Sequence, residues 1–317
     1  MRRVLVTGAG GFVGANLARR LVSEGHDVTA AVSVGNPCWR LRALRDQVRL
    51  IELDLRDRAA VERAISSHPP EWVFHLAAHG AYSWQRDTRR ILETNLLATA
   101  ALVDACANGG TAVLVHAGSS SEYGFKDHAP SEGETAEPNS AYAVGKMAAT
   151  AYCRHVAREG RLHTVTLRLY SVFGPFEEPG RLIPTLVLEG LRGSLPPLVA
   201  PEVSRDFVYV DDVVEAFLVT ASAADTSLPV GAVYNVGSGV PTSVGQVAEI
   251  ACRLLPVRTA PSFGSHPGRS WDTNVWFADP SSIRSDLGWK ARTSLEEGLA
   301  STIEWFETHP AVRAVYL

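Results

Sequence analysis

The chain has 317 residues, 46% of them hydrophobic and 20% charged, enough for one large or two modest domains with a real core. A net charge of −4 and a pI near 6.2 provide no basic surface for nucleic acid and no polybasic patch for a membrane, so neither is expected as a partner. The four cysteines are far apart and show no metal-ligand spacing, which argues against a disulfide framework or a metal site; with no apolar leader in MRRVLVTGAG and no apolar run of about 18 residues, a soluble, cytoplasmic protein is expected.

In chain order, Val4 to Thr7 forms a short β-branched strand that runs into Gly8, Gly11 and Gly14, and helical periodicity begins at Asn16. In a strand–turn–helix setting this glycine spacing permits a tight turn and close approach of the backbone to a pyrophosphate, with Phe12 and Val13 at the helix start facing the anion. A second strand, His26 to Val32, ends at Ser33 without the carboxylate that would hold a ribose 2′-hydroxyl. With Arg40 and Arg42 downstream to meet a phosphate, the cofactor reading tilts toward NADP, with NAD possible; the same arginines can equally be solvated helix charges.

A third strand over Leu50 to Leu53 ends at Asp54-Leu55, where an aspartate can take the adenine amino group. A helix is expected over residues 58–66, then a fourth strand, Trp72 to Leu76, whose His75 reads as a core histidine and whose following Ala77 and Ala78 leave room for a ribose. A long helix over residues 87–107 contains Asn95 and leads to the apolar run Thr111 to His116, a buried parallel strand that empties into Gly118 and Ser119, Ser120 and Ser121. Strands alternating with helices define an α/β class with a doubly wound parallel sheet.

Tyr142 and Lys146, spaced i, i+4, share one helix face about a turn apart. A tyrosine hydroxyl, with an ordinary pKa near ~10, is a poor base at neutral pH, and a neighbouring ammonium is expected to pull it toward the working range. The chain has three lysines against 27 arginines, so a lysine at 146 suggests a role that calls for a compact, hydrogen-bonding point charge. One of the three serines is placed to hold a substrate oxygen against the Tyr142 hydroxyl.

TGAGGFVG at 7–14, HLAA at 75–78, Asn95, the serine loop ending in Tyr123-Gly124, YAVGK at 142–146 and LRLYSVFGP at 167–175 together resemble the extended short-chain dehydrogenase/reductases. Within them, SRDFVYVDD at 204–212 is similar to the diphosphate-binding segment of the nucleotide-sugar epimerases, dehydratases and ketoreductases. The resemblance implies a Rossmann domain over 1–170, its sheet completed by about 207–237, and a smaller, discontinuous substrate lobe mainly within 171–317. Phe207 to Ala223 and Ala232 to Gly237 read as the helix and strand that return to the sheet. The catalytic set implied is Ser119, Tyr142 and Lys146, with Asn95 completing a hydrogen-bonded relay, a nucleotide-diphosphate sugar as substrate, and a homodimer built on helices 87–107 and 141–158.

The substrate-binding set is Ser120, Ser121, Ser171, Arg181, Arg205 and Arg269. Arg205 matches the diphosphate-binding arginine, Ser171 stands where the family has Asn, and Arg269 replaces a distal arginine that aligns near His266. Ser120-Ser121 stand where the 4,6-dehydratases carry Asp-Glu, so an elimination lacks its acid and base unless the adjacent Glu122 serves. The leading expectation is a 4-ketoreductase; the alternatives are a 4-epimerase holding NAD tightly, then a 4,6-dehydratase, with a non-catalytic cofactor sensor last.

Overall fold

Strands that are apolar along their whole length need cover on both faces, and the sheet they build here has it. The structure, a computed structural model, describes residues 1–82, 84–224, 228–265 and 275–316. Its strands are β1 (Arg3–Thr7), β2 (Asp27–Val32), β3 (Arg49–Glu52), β4 (Trp72–His75), β5 (Val113–Ser119), β6 (His163–Leu169), β7 (Ser171–Phe173), β8 (Ser204–Tyr209), β9 (Val233–Val236) and β10 (Pro241–Ser243). The helices are α1 (Phe12–Ser23), α2 (Arg58–Ser67), α3 (Thr88–Leu92), α4 (Ala98–Asn108), α5 (Ala141–Arg158), α6 (Leu182–Gly190), α7 (Val210–Ala223), α8 (Val244–Leu254), α9 (Ser281–Leu287) and α10 (Leu295–Thr308).

Seven strands form one parallel sheet in the order β3-β2-β1-β4-β5-β6-β9. Alternate residues of a strand go to opposite cores: Val4 and Val6 of β1 pack on one side with Val113, Val115 and α7, while Leu5 packs on the other with Leu114, α4 and α5. This is the Rossmann-like α/β fold expected, and the strand order reverses between β1 and β4, where such sheets open a crevice at the carboxyl ends of the strands.

The second sheet, β10-β8-β7, packs with α6, α8 and α10 around Phe173, Phe207, Leu186, Val247 and Phe306. Three local readings are revised. Ser204–Tyr209 is a strand and the helix starts at Val210, so residues 207–209, expected at the helix start, are β-structure. The long helix around Asn95 is interrupted by a π turn over Glu93–Leu97. The strand expected to end at His116 continues through Ser119, which puts that residue at the carboxyl end of a central strand rather than in a free loop.

Asp206 fastens the small sheet to the large one. Its buried carboxylate accepts from Ser238 N–H (2.7 Å), Ser238 Oγ (2.6 Å), Gly239 N–H (2.9 Å) and Ala278 N–H (2.9 Å). Removing an acceptor strands buried donors, each costing on the order of 1–3 kcal/mol. Asp206→Ala is expected to lower the unfolding free energy by about 3 kcal/mol in urea titration, and a loss below about 1 kcal/mol would contradict this role.

Candidate active site

The site begins where β1 turns into α1. Gly8 has φ of 71°, and a Cβ there would stand 2.6 Å from Ala77 N; a Cβ on Gly14 would stand 2.3 Å from Gly8 O. Only hydrogen at these positions lets the loop close against β4. Gly11 caps α1 without a side-chain hydrogen bond, so the N–H groups of Phe12 and Val13 lie at the bare helix N-terminus, where a pyrophosphate fits. The glycine cradle and its neighbours Ala77 and Ala78 therefore suit a dinucleotide.

Across the crevice, Ser119 caps a 3₁₀ turn over Ser120–Tyr123. Its Oγ accepts from Ser121 N–H at 3.2 Å and meets Ser121 Oγ at 2.8 Å. Glu122 returns the cap: Oε1 accepts from Ser119 N–H at 2.8 Å, and Oε2 takes Arg168 Nε at 2.9 Å. Both partners are buried, and the Arg168 guanidinium lies 4.4 Å from the Tyr123 ring centroid. Glu122 is thus spent on structure, which corrects the thought that it stands in for a dehydratase's acid or base.

Tyr142 and Lys146 lie on one face of α5, as their spacing requires. Lys146 Nζ donates to Ala117 O at 2.9 Å and is fully buried; burial pushes it down to about 8, with Glu122 pulling it back up. Tyr142 is half-buried, and burial pushes its phenol up to about 12, with the Ser119 hydroxyl acting the other way. The expected lowering of the phenol is therefore not what the structure gives: burial raises it, and the largest opposing influence is the Ser119 hydroxyl. Asn95 does not touch these two groups directly: its side chain is closed on the backbone of His79, accepting from N–H and donating to C=O, both at 2.8 Å.

Arg40 lies away from solvent. Its guanidinium donates to Phe176 O (2.7 Å), Gly10 O (3.3 Å) and Glu178 (2.8 Å), tying the glycine loop to the segment before α6. Arg42, two positions on in a 3₁₀ helix, is exposed and points about a third of a turn away. Ser33 is exposed at the end of β2. Asp54 forms a two-point ion pair with Arg56 at 2.9 and 2.7 Å while Leu55 beside it is buried.

Among the residues expected to bind substrate, Ser120 Oγ accepts from Trp276 Nε1 at 3.1 Å, and the Arg205 guanidinium lies 5.9 Å from the Trp276 ring centroid. Arg205 also donates to Ser204 O at 2.7 Å. Arg181 reaches Ala81 O at 3.4 Å, rests 5.1 Å from the centroid of Tyr82, and with Tyr82 bears on the Tyr142 phenol. Ser171 is half-buried on β7, opposite Phe207. Arg269, and His266 with it, lie outside the described residues. Trp276 and Tyr82 were not foreseen: Trp276 reaches Ser120 across 156 positions, which no local pattern encodes, whereas Tyr82 follows closely on the Ala77-Ala78 strand end.

Residues 4–237 match the NAD-dependent epimerase/dehydratase family, and the chain belongs to it: it is an enzyme of the extended short-chain dehydrogenase/reductase type. It is 31% identical over 316 residues to the UDP-glucose 4-epimerase of Mycolicibacterium smegmatis, covering 96% of this chain and 98% of that one. Among solved structures it is similar to the UDP-glucose 4-epimerase of Thermotoga maritima with UDP-glucose, with TM-score 0.88, 28% identity, and 97% and 99% of the two chains covered. It is also similar to MoeE5 in complex with UDP-glucuronic acid and NAD, with TM-score 0.82, 35% identity, and 96% and 99% covered. No helix among the described residues is long and apolar enough to cross a membrane, and no group of residues there is arranged to hold a metal ion.

Glu122→Gln keeps an acceptor for Ser119 N–H but turns an amide toward Arg168 and leaves that guanidinium buried and unpaired. It is expected to cost about 3–5 kcal/mol. A denaturation midpoint equal to wild type would contradict the pairing.

Proposed function

We propose that the protein is a UDP-hexose 4-epimerase that works with NAD. The observation that carries this reading is Arg40. Sequence points to NADP because Ser33 leaves a 2′-phosphate unopposed and Arg40 could meet it, but Arg40 is buried and each of its three guanidinium nitrogens donates to a group of the protein. Of the two arginines, that leaves a 2′-phosphate the exposed Arg42, in water, where a single ion pair contributes about 1 kcal/mol or less. Supporting it, relatives across nearly the whole chain are named as 4-epimerases, and similar structures carry NAD. A ketoreductase that consumes NADPH, the leading expectation from sequence, falls behind for the same reasons. A 4,6-dehydratase remains third, since Ser120-Ser121 supply no acid–base pair and Glu122 is committed.

When bound, NAD supplies the hydride acceptor at C4 and returns the hydride. The chain's own residues do the rest. Tyr142 Oη takes the C4 hydroxyl proton and later restores it, Ser119 Oγ holds the same oxygen, and Lys146 stabilises the phenolate that forms when the site is occupied. Asn95, Asp54 and Leu55 keep the crevice wall and the adenine end in place, while Arg205, Arg181, Ser120, Ser121 and Ser171 hold the nucleotide sugar, with Arg205 on its diphosphate. Leu97 is 61% exposed and Val144 39% exposed on the helices that flank the site, which suits a homodimer joined through α3, α4 and α5.

Denatured protein is expected to release NAD⁺, and the purified enzyme to convert UDP-glucose to UDP-galactose with no cofactor added. Oxidation of NADPH by a 4-keto sugar nucleotide, without epimerisation, would instead restore the reductase reading. Tyr142→Phe is expected to lower kcat by roughly 10²–10⁴-fold with cofactor retention unchanged, and more than a tenth of wild-type kcat in that variant removes Tyr142 from the chemistry. Leu97→Glu is expected to give a monomeric mass in light scattering at micromolar concentration.

A further inference from the structure

Four polar side chains form a row beneath the site. Thr7 of β1 pairs with His75 of β4, His75 with His116 of β5, and His116 with Thr166 of β6, in register. All four are buried, where an unpartnered polar group is costly. His116 stacks on His75 at 5.2 Å and neither of its nitrogens has a partner, so the bonded part of the row runs through His75 alone.

The direction of those bonds follows from counting protons. The Thr99 hydroxyl has one hydrogen and gives it to Asn95 O at 2.7 Å, an acceptor only. His75 Nε2, 2.8 Å from the same hydroxyl, must then be the donor. That fixes the imidazole as the Nε2–H tautomer, with Nδ1 accepting from Thr7 Oγ1 at 2.7 Å. Burial, with the Lys146 charge nearby, pushes His75 down to about 3, so the ring stays neutral. Beyond Asn95 the path continues: its carbonyl belongs to the π turn and its side chain grips His79, at the start of the loop whose Ala81 carbonyl and Tyr82 ring meet Arg181.

We propose that His75 is a positioning residue. It carries a one-way hydrogen-bond chain, Thr7 to His75 to Thr99 to Asn95, that sets the π turn and, through the Asn95 side chain, the His79–Tyr82 loop against which Arg181 rests. The catalytic part of this idea rests on the proposed sugar site; the hydrogen-bond chain itself does not.

Two measurements on the full-length protein test it independently of the reaction. Nitrogen-15 histidine NMR, assigned with His75→Gln, should show His75 neutral with its proton on Nε2 from about pH 5 to 9; an Nδ1–H tautomer, or titration within that range, overturns the chain. By hydrogen exchange, Thr99→Val should speed exchange of residues 76–82 by about tenfold while Thr99→Ser leaves it at the wild-type rate. No change in Thr99→Val, or an equal rise across the whole sheet, reduces His75 to core packing. In activity, Thr99→Val should lower kcat/KM for UDP-glucose by about tenfold and Thr99→Ser should restore it. If the wild type itself does not epimerise UDP-glucose, the function reading fails while NMR and exchange still decide the role of His75.

Discussion

The reacting end of the crevice depends on one buried carboxylate. Glu122 faces Ser119 N–H with one oxygen and Arg168 with the other, and neither it nor the guanidinium has access to water. A charge taken out of water is tolerated only when its partner and its remaining lone pairs are satisfied. Here the ion pair and the returned cap satisfy them together, and the result is a serine hydroxyl held at the end of β5 rather than on a mobile loop. The same network reaches outward: Tyr123 beside it donates to Asn235 of β9 at 2.8 Å, and Asn235 N–H donates to Glu132 at 2.8 Å. The strand that closes the large sheet is thereby bonded to the loop that carries the serines.

Around that fixed point the two sheets and the loops between them are fastened by groups that a surface view of charge would leave to solvent. Asp206 gathers four donors from the segments that flank β9 and precede α9. Arg40 joins the glycine loop to the Phe176–Glu178 strap, and Phe176 there has φ of 69°, a conformation costly for a side chain with a Cβ and held by contacts with Arg19 and Trp305. What these fastenings leave for ligands is a glycine cradle with bare N–H groups and, elsewhere, Ser119 at the end of β5, Tyr142 on α5 and Arg181 over the Tyr82 ring.

Much of this was legible in the sequence because it is local. A glycine triad after a β-branched strand, small residues at strand ends, and a Tyr and Lys four apart are patterns of spacing, and the structure sets the glycines at the β1–α1 turn against Ala77 and puts Tyr142 and Lys146 on α5. Three things were not legible, each for a physical reason. Arg40 reads as a phosphate ligand because a sequence does not show which arginines are buried against carbonyls 136 positions away. Phe207–Tyr209 reads as the start of the following helix because β-branched and aromatic residues suit a strand and a buried helix alike. Glu122 reads as a spare acid because its capping role needs Ser119 in extended geometry, and its partner Arg168 lies on another strand.

The central claim is that hydride leaves and returns within one closed crevice, so that the cofactor is a resident and not a consumed reagent. Epimerisation of UDP-glucose carrying deuterium at C4, run in the presence of excess unlabelled NADH, tests this directly. The account predicts UDP-galactose that retains the deuterium at C4 in full, with none in the NADH pool. Loss of the label from C4, or its appearance in free NADH, would show an exchanging cofactor and contradict the account.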